Sequence, residues 1–397
     1  MENMKNFTRN EWLKTVSFIS ILILFPGFFF YHSLVGLGVI PPILGGFFTP
    51  MALLIVMLYL PLYFSLNKKF SKVFILAISF FAFWMLYVFS HYVFHYDIYN
   101  KDLLIWGVTG VTANLVCFMI MLNFKLDSLI STRILYICFI LMSLTIISYS
   151  GSGQFRLNEG NDIEGLASYQ AFARSLLIIA YICFVYQKKA MLRNLIALLT
   201  LIALFVNGAR SELFFFICSI FLFTLFTYKR NYTLILSALI LTIILLFKLD
   251  YFVQSFESNR TFDLLNLSNS TSYQGRKELG ANAWQVIQDQ PLLGQYGYYV
   301  DEFGIGGYAH NILSAWADFG ILGFLLFLGV SIYILLYSMY KIIIKNSNNK
   351  IIHLLFLYSF SLFFAYLTAK DYSYMLFGLS LGLYVNYQKL LKEKAKF

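Results

Sequence analysis

Hydrophobic runs long enough to cross a lipid bilayer recur along almost the whole chain, and nothing else in the sequence limits its fold so tightly. Inside hydrocarbon a backbone has to satisfy its own hydrogen bonds, so a crossing segment is a helix of about 20 residues. Runs of this kind fall at 15–38, 43–66, 73–95, 102–124, 133–150, 166–187, 194–207, 213–228, 232–249, 312–340, 351–369 and 374–388. Only 12% of the residues are charged, half of the roughly 25% in soluble globular domains. The fold class is therefore an all-α integral membrane protein of about twelve transmembrane helices. The first run has no small-residue cleavage motif after it and reads as an anchor, not a signal peptide.

Charge orients the spans. With the N-terminus inside, the inner segments hold 20 of the 29 Lys and Arg but 4 of the 19 Asp and Glu. Cytoplasmic loops are enriched in Lys and Arg, so both termini belong in the cytoplasm. The formal net charge of +10 is then a topology signal and not a nucleic-acid footprint. The chain reads as one polytopic membrane domain, 1–397. Nine spans lie in 15–249, a large external loop in 250–308, three spans in 309–388 and a cytoplasmic tail in 389–397.

Cys117, Cys138, Cys183 and Cys218 all fall inside hydrophobic runs and read as small apolar residues. No CxxC pair, Walker loop, HExxH or dinucleotide fingerprint is present. His91 and His95 are four apart, but with only Asp97 beyond them they argue weakly for a metal.

The polar residues gather outside. In the long loop, 255–272 is polar and turn-rich. The stretch 272–290 then places Leu279, Ala283, Val286 and Ile287 at helical spacing, predicting a short amphipathic helix on the membrane or on the bundle, ended by Pro291. Gly294, Gly297, Gly304, Gly306 and Gly307 follow, a density that permits close approach of backbone to a ligand. At its end His310 precedes Asn311, which can cap the next span. A second outer segment, 151–165, carries Arg156, Glu159, Asp162 and Glu164 and leads to Arg174, about two turns into the next span. Arg174 either snorkels outward or faces an interior cavity. The third feature is a squeeze. The stretch 194–228 cannot supply two full spans and a turn, so its tip, 207–212, is drawn inward with Arg210. An Arg210–Glu212 interfacial pair is the simpler account of that tip.

Two stretches resemble a known family. The order of Arg276, the Trp284-bearing helix, the Pro291-x-x-Gly294 turn, His310-Asn311 and the Gly320-x-x-Gly323 span is similar to the signature region of O-antigen polymerases (Wzy-type) and O-antigen ligases, polytopic membrane glycosyltransferases. The tip 207–212 resembles the family's shorter element but departs from its commoner Ser-x-Ser-Arg form. The likeness implies glycosyl transfer from undecaprenyl-pyrophosphate-linked oligosaccharides at the outer face of a bacterial inner membrane, with no metal and no cofactor. A chain-length regulator and a flippase are the partners it implies, besides the bilayer.

The residue types suit that chemistry. Guanidinium forks stabilise a departing pyrophosphate, which points to Arg276 and Arg210, then Arg174 and Arg156. A histidine can accept the proton of the attacking hydroxyl, which points to His310. Glu278, Asp301 and Glu302 are the fallback bases and Asn311 the residue that fixes the helix start beside His310. A capping or anchoring role alone is the alternative for His310. Polymerase is the leading expectation, ligase the nearest rival. A transporter or flippase is the different class, disfavoured because the spans show no repeated halves with matching interruptions.

Overall fold

The computed structural model describes residues 9–43, 46–67, 70–94, 101–151, 155–157, 168–227 and 271–394. Among them the chain is helical with no strand. The first span joins α1 (Arg9–Leu22) to α2 (Phe28–Gly36) through a π-helical turn at Ile23–Gly27. Pro26 sits in that turn, where the wider ring accommodates a residue without an N–H. Then come α3 (Phe48–Leu66), α4 (Lys72–Phe94), α5 (Lys101–Met121), α6 (Leu129–Ser148), α7 (Tyr169–Tyr186), α8 (Ala190–Asn207) and α9 (Arg210–Thr227). The outer segment carries α10 (Thr271–Asp289) and the short α11 (Val300–Phe303). The chain returns through α12 (Leu313–Ile343), α13 (Lys350–Thr368) and α14 (Leu376–Lys394).

Ten of these helices are long and apolar enough to cross a membrane. The run at 232–249 lies outside the described residues, as do residues 255–270 of the polar stretch. The run at 374–388 forms α14, which is not one of the ten because its C-terminal end carries Asn386, Lys389, Lys392 and Lys394. It is nonetheless a core element, buried from Leu376 to Tyr387. Gly378 and Gly382 let it lie directly on α5: a Cβ at either would strike the carbonyl of Asn114 or of Phe118. This is the small-xxx-small contact that membrane helices use in place of a hydrophobic drive.

At the centre, α7 and α13 are the most enclosed spans, while α3, α4 and α6 leave most of their surface to lipid. Hydroxyls tie the centre together. The Tyr181 hydroxyl lies 2.7 Å from Ser361 Oγ, which lies 2.9 Å from Ser219 Oγ, and the Tyr358 hydroxyl donates to Ile178 O at 3.0 Å. With no water to compete, such bonds fix the register of α7, α9 and α13.

The predicted amphipathic helix is α10, and it lies on the bundle. Ala283 and Ile287 are buried against Ala309 and Ala317, with Val286, Leu313 and Trp316 packed around them. The turn after it seats on α12. That helix is broken at Gly320, whose φ of 66° and ψ of −170° suit a residue with no Cβ. The break opens a slot for the turn: Ile321 N and Trp316 Nε1 donate to Pro291 O at 3.0 and 2.9 Å, and Gln295 N donates to Ala317 O at 2.6 Å. Gly294 faces it with φ 68°. A Cβ on Gly294 would meet Gly320 N, and one on Gly320 would meet Leu292 O. The Pro-x-x-Gly turn and the Gly320 span are thus two halves of one seam.

Candidate active site

The seam positions a cluster of polar residues at one end of the bundle. Its anchor is Asp318, fully enclosed near the start of α12. The Tyr372 hydroxyl donates to its Oδ2 at 2.7 Å and Gly297 N to its Oδ1 at 3.0 Å. The Tyr87 hydroxyl lies 2.8 Å from Leu293 O and 3.1 Å from Asp318 O. A carboxylate there is costly unless hydrogen-bonded. Its partners join α4, the glycine-rich loop and the segment before α14 into one frame.

His310 stands where that loop meets α12. Ile312 N donates to Tyr366 O at 2.8 Å, fastening the loop to the end of α13. Asn311 Oδ1 accepts from Leu313 N at 2.9 Å, so Asn311 caps α12 as its position suggests. The His310 ring is half-buried and packs on Tyr308 at 5.1 Å, which stacks in turn on Trp106 at 5.8 Å. Burial, and after it the charges of Arg276 and Lys370, push the imidazole down from 6.5 to about 4. Burial and the charge of Asp371 push the Tyr308 phenol up, against the pull of Arg174 and Arg276. These fields place Arg174 of α7, Arg276 of α10 and Lys370 around the His310–Tyr308 pair.

A buried ion pair completes the cluster. Glu212, in the first turn of α9, is wholly enclosed. It accepts from Ser211 Oγ at 2.7 Å and lies 2.9 Å from Lys370 Nζ. Lys370 also donates to Gln170 Oε1 at 3.1 Å and sits over the Tyr374 ring at 5.5 Å. Arg174 follows Gln170 by one turn on the same face of α7, and its charge, like that of Glu212, reaches Tyr374. Next to Lys370, burial raises the Asp371 carboxyl even though Ser373 Oγ donates to it at 2.6 Å.

The sequence-derived residues divide accordingly. His310, Asn311, Arg276 and Arg174 come together. Arg210 is the first residue of α9, half-buried, two positions before Glu212. The tip shrinks to Gly208 and Ala209, with Gly208 left-handed at φ 78°, and its Asn207 and Glu212 are fully buried, in keeping with a polar tip drawn inward. Glu212 is engaged by Lys370 from the far end of the sequence. Arg156 is exposed, its backbone N–H bonded to Tyr149 O at 3.0 Å. Glu278 and Asp301 are exposed, and the exposed Glu302 accepts from Asn282 Nδ2 at 3.0 Å, which braces α11 against α10. Glu159, Asp162, Glu164 and His95 lie outside the described residues, and the His91 ring packs on Tyr87 at 4.7 Å.

Sequence reasoning passed over Lys370, Asp371 and Asp318. Asp318 carried a usable signal, an acid within an apolar run. Lys370 carried a weaker one, as one of few cations on the net-negative side that the charge reading puts outside.

Among families of known proteins, the model described as O-antigen ligase matches residues 195–328. The matched segment runs from α8 into α12 and includes Arg210, Glu212, Arg276, His310 and Asp318; Arg174 and Lys370 fall outside it. No curated protein matches the chain.

Proposed function

From the match of residues 195–328 to the family model described as O-antigen ligase, we infer that this multi-pass membrane protein is a polymerase joining undecaprenyl-pyrophosphate-linked oligosaccharide repeat units into O-antigen or capsular polysaccharide. The observation that carries the reading is a neutral, half-buried His310 facing the charges of Arg276 and Lys370. In the reaction an acceptor sugar hydroxyl attacks C1 of the donor's first sugar. The C1–O bond to phosphate breaks as the new glycosidic bond forms. The hydroxyl proton passes to an imidazole nitrogen of His310, and the electron pair leaves on undecaprenyl pyrophosphate, where guanidinium groups of Arg276, Arg210 and Arg174 offset the charge. His310 then returns its proton to water. The protein supplies orientation and charge, and no metal is needed.

His310, Arg276 and Lys370 lie toward the end of the bundle opposite the basic segments, so the reading places the reaction at the outer face of a bacterial inner membrane, with both termini cytoplasmic. Lipid-linked substrates would arrive from the outer leaflet, delivered by a flippase and handed on under a chain-length regulator.

The family's description favours a second reading, an O-antigen ligase that transfers the glycan to lipid A core. The glycans of a deletion strain separate the two. Single repeat units capped on lipid A are the expected result for a polymerase. Long chains retained on undecaprenyl carriers would establish the ligase instead, and unmodified lipid-linked units trapped inside would mean a flippase and end both.

A further inference from the structure

Leu292 and Leu293 are the most exposed apolar side chains among the described residues of 271–312, at 71% and 77%. Their turn presents its backbone to the protein and its side chains away from it. Pro291 brings no N–H, and its O accepts from Ile321 N and Trp316 Nε1. Leu293 O accepts from the Tyr87 hydroxyl at 2.8 Å, Gly294 N donates to Gln290 O at 3.0 Å, and Leu292 O faces Gly320. A turn in water has no need to take its carbonyls inward; a turn in hydrocarbon does.

Two helices measure the depth of this turn. On α12 the Lys341 ammonium lies over the Tyr337 and Tyr340 rings at 5.3 and 5.9 Å, and that of Lys345 over Tyr340 at 5.8 Å, the aromatic and cationic belt of a membrane boundary. A hydrocarbon layer of about 30 Å takes about 20 helical residues. Counted from Tyr340, the far boundary falls near Gly320, where the turn is seated. Leu322 and Leu325, next along that helix, are exposed. On α4 the turn is bonded to Tyr87, yet the exposed apolar surface runs on past it to the end of the helix, through Phe89, Val93 and Phe94. Both helices therefore put the turn level with their lipid-facing surfaces.

We propose that the Pro291–Gly294 turn is a membrane wedge, with Leu292 and Leu293 inserted among the acyl chains of bulk phospholipid in the adjoining leaflet. The turn links α10, which carries Arg276, to the glycine-rich loop that ends at His310, so mooring it fixes the depth of both. The inference needs only the membrane-spanning fold and stands apart from the reaction proposed above.

The test uses the full-length protein in phosphatidylcholine vesicles free of polyprenyl lipid. Leu292→Cys and Leu293→Cys, each carrying a nitroxide, are compared with Gln288→Cys, exposed near the end of α10, and Leu325→Cys, exposed on α12. Oxygen concentrates among acyl chains, whereas a nickel chelate stays in water. The labelled wild-type chain supplies the background from Cys138 and Cys218. Both turn sites should show an oxygen-to-nickel collision ratio several-fold above that of Gln288→Cys and close to that of Leu325→Cys, with the melting temperature unchanged. A ratio equal to that of Gln288→Cys would place the turn in water and overturn the proposal. Few collisions with either reagent would mean that a second copy of the chain covers the leucines, which overturns it too. The unmutated chain covers the case of misfolded variants. A phosphatidylcholine with a diazirine on its acyl chain should leave adducts on 291–294 as well as on α12, and adducts on α12 that spare the turn would refute lipid contact.

Discussion

At neutral pH the His310 imidazole is free to accept a proton because its surroundings resist giving it one. Burial, Arg276 and Lys370 all disfavour the imidazolium. A pyrophosphate arriving among the same cations would cancel much of their field, so the base should strengthen once the donor is bound. The acid limb of kcat/KM reports the free enzyme and that of kcat the complex. The neutral form is required, so activity falls as pH drops through the relevant pKa. The kcat/KM limb should lie near about 4 and the kcat limb higher; a shared limb at 6.5 would contradict the field argument. His310→Ala should lower polymerisation by about 10²–10⁴-fold, read as glycan chain length against equal protein in the membrane. His310→Asn keeps hydrogen bonding but not proton transfer, and near-normal chains from it would end the catalytic assignment. Arg276→Ala should abolish chains, with poor rescue by Arg276→Lys, because a point charge does not replace a bidentate fork. Full-length chains from Arg276→Ala would remove that residue from the site.

At the scale of elements, the seam between the turn at Pro291 and the break at Gly320 carries the site, since it sets where the loop bearing His310 leaves α12. Gly320→Ala should therefore do more than its size suggests. Its φ of 66° with ψ of −170° is a region essentially reserved for glycine, costing a residue with a Cβ of order 1–3 kcal/mol, and the new methyl would meet Leu292 O. A lower melting temperature with loss of activity is expected. Gly329→Ala in the same helix, with open space around it, should be neutral or slightly stabilising. Equal melting of the two variants would show that the seam does not strain. The sequence announced the parts of this seam but not their contact. Pro291, Gly294 and Gly320 read as a helix stop, part of a glycine-rich loop and half of a Gly-x-x-Gly pair in a span. Their meeting depends on α10 folding back over α12, which no local pattern encodes. The spans were legible for the opposite reason: hydrocarbon imposes length and polarity on each alone. Even their edges moved where a side chain intervened, as where Ser128 accepts from Ile130 N at 3.2 Å and starts α6 at Leu129, ahead of Arg133. Lys370 and Glu212 lie 158 positions apart and met only through the packing of α9 against α13, so no local pattern could have named Lys370 as a cation of that acid.

For the whole molecule, the asymmetry of charge and the position of the cluster have to agree. The basic segments follow one end of the helices, the end the charge reading puts inside, while His310, Arg276 and Lys370 share the opposite end. Lys14 and Lys125 sit 3.1 and 2.9 Å from Asp127, a cluster at the basic end. The outer-leaflet chemistry proposed above therefore stands or falls with orientation. Two single cysteines test it, with impermeant maleimide applied to intact cells and to inverted vesicles. Gln288→Cys lies exposed near the end of α10, and Asn348→Cys lies exposed between α12 and α13. Cys117 and Cys183 are buried, and Cys138 and Cys218 are half-buried inside spans, so the wild-type chain supplies the background. Gln288→Cys should react in intact cells and Asn348→Cys only in inverted vesicles. The reverse pattern would put His310 on the cytoplasmic side, where the outer-leaflet donor is out of reach, and the glycosyl-transfer mechanism would fail with the topology.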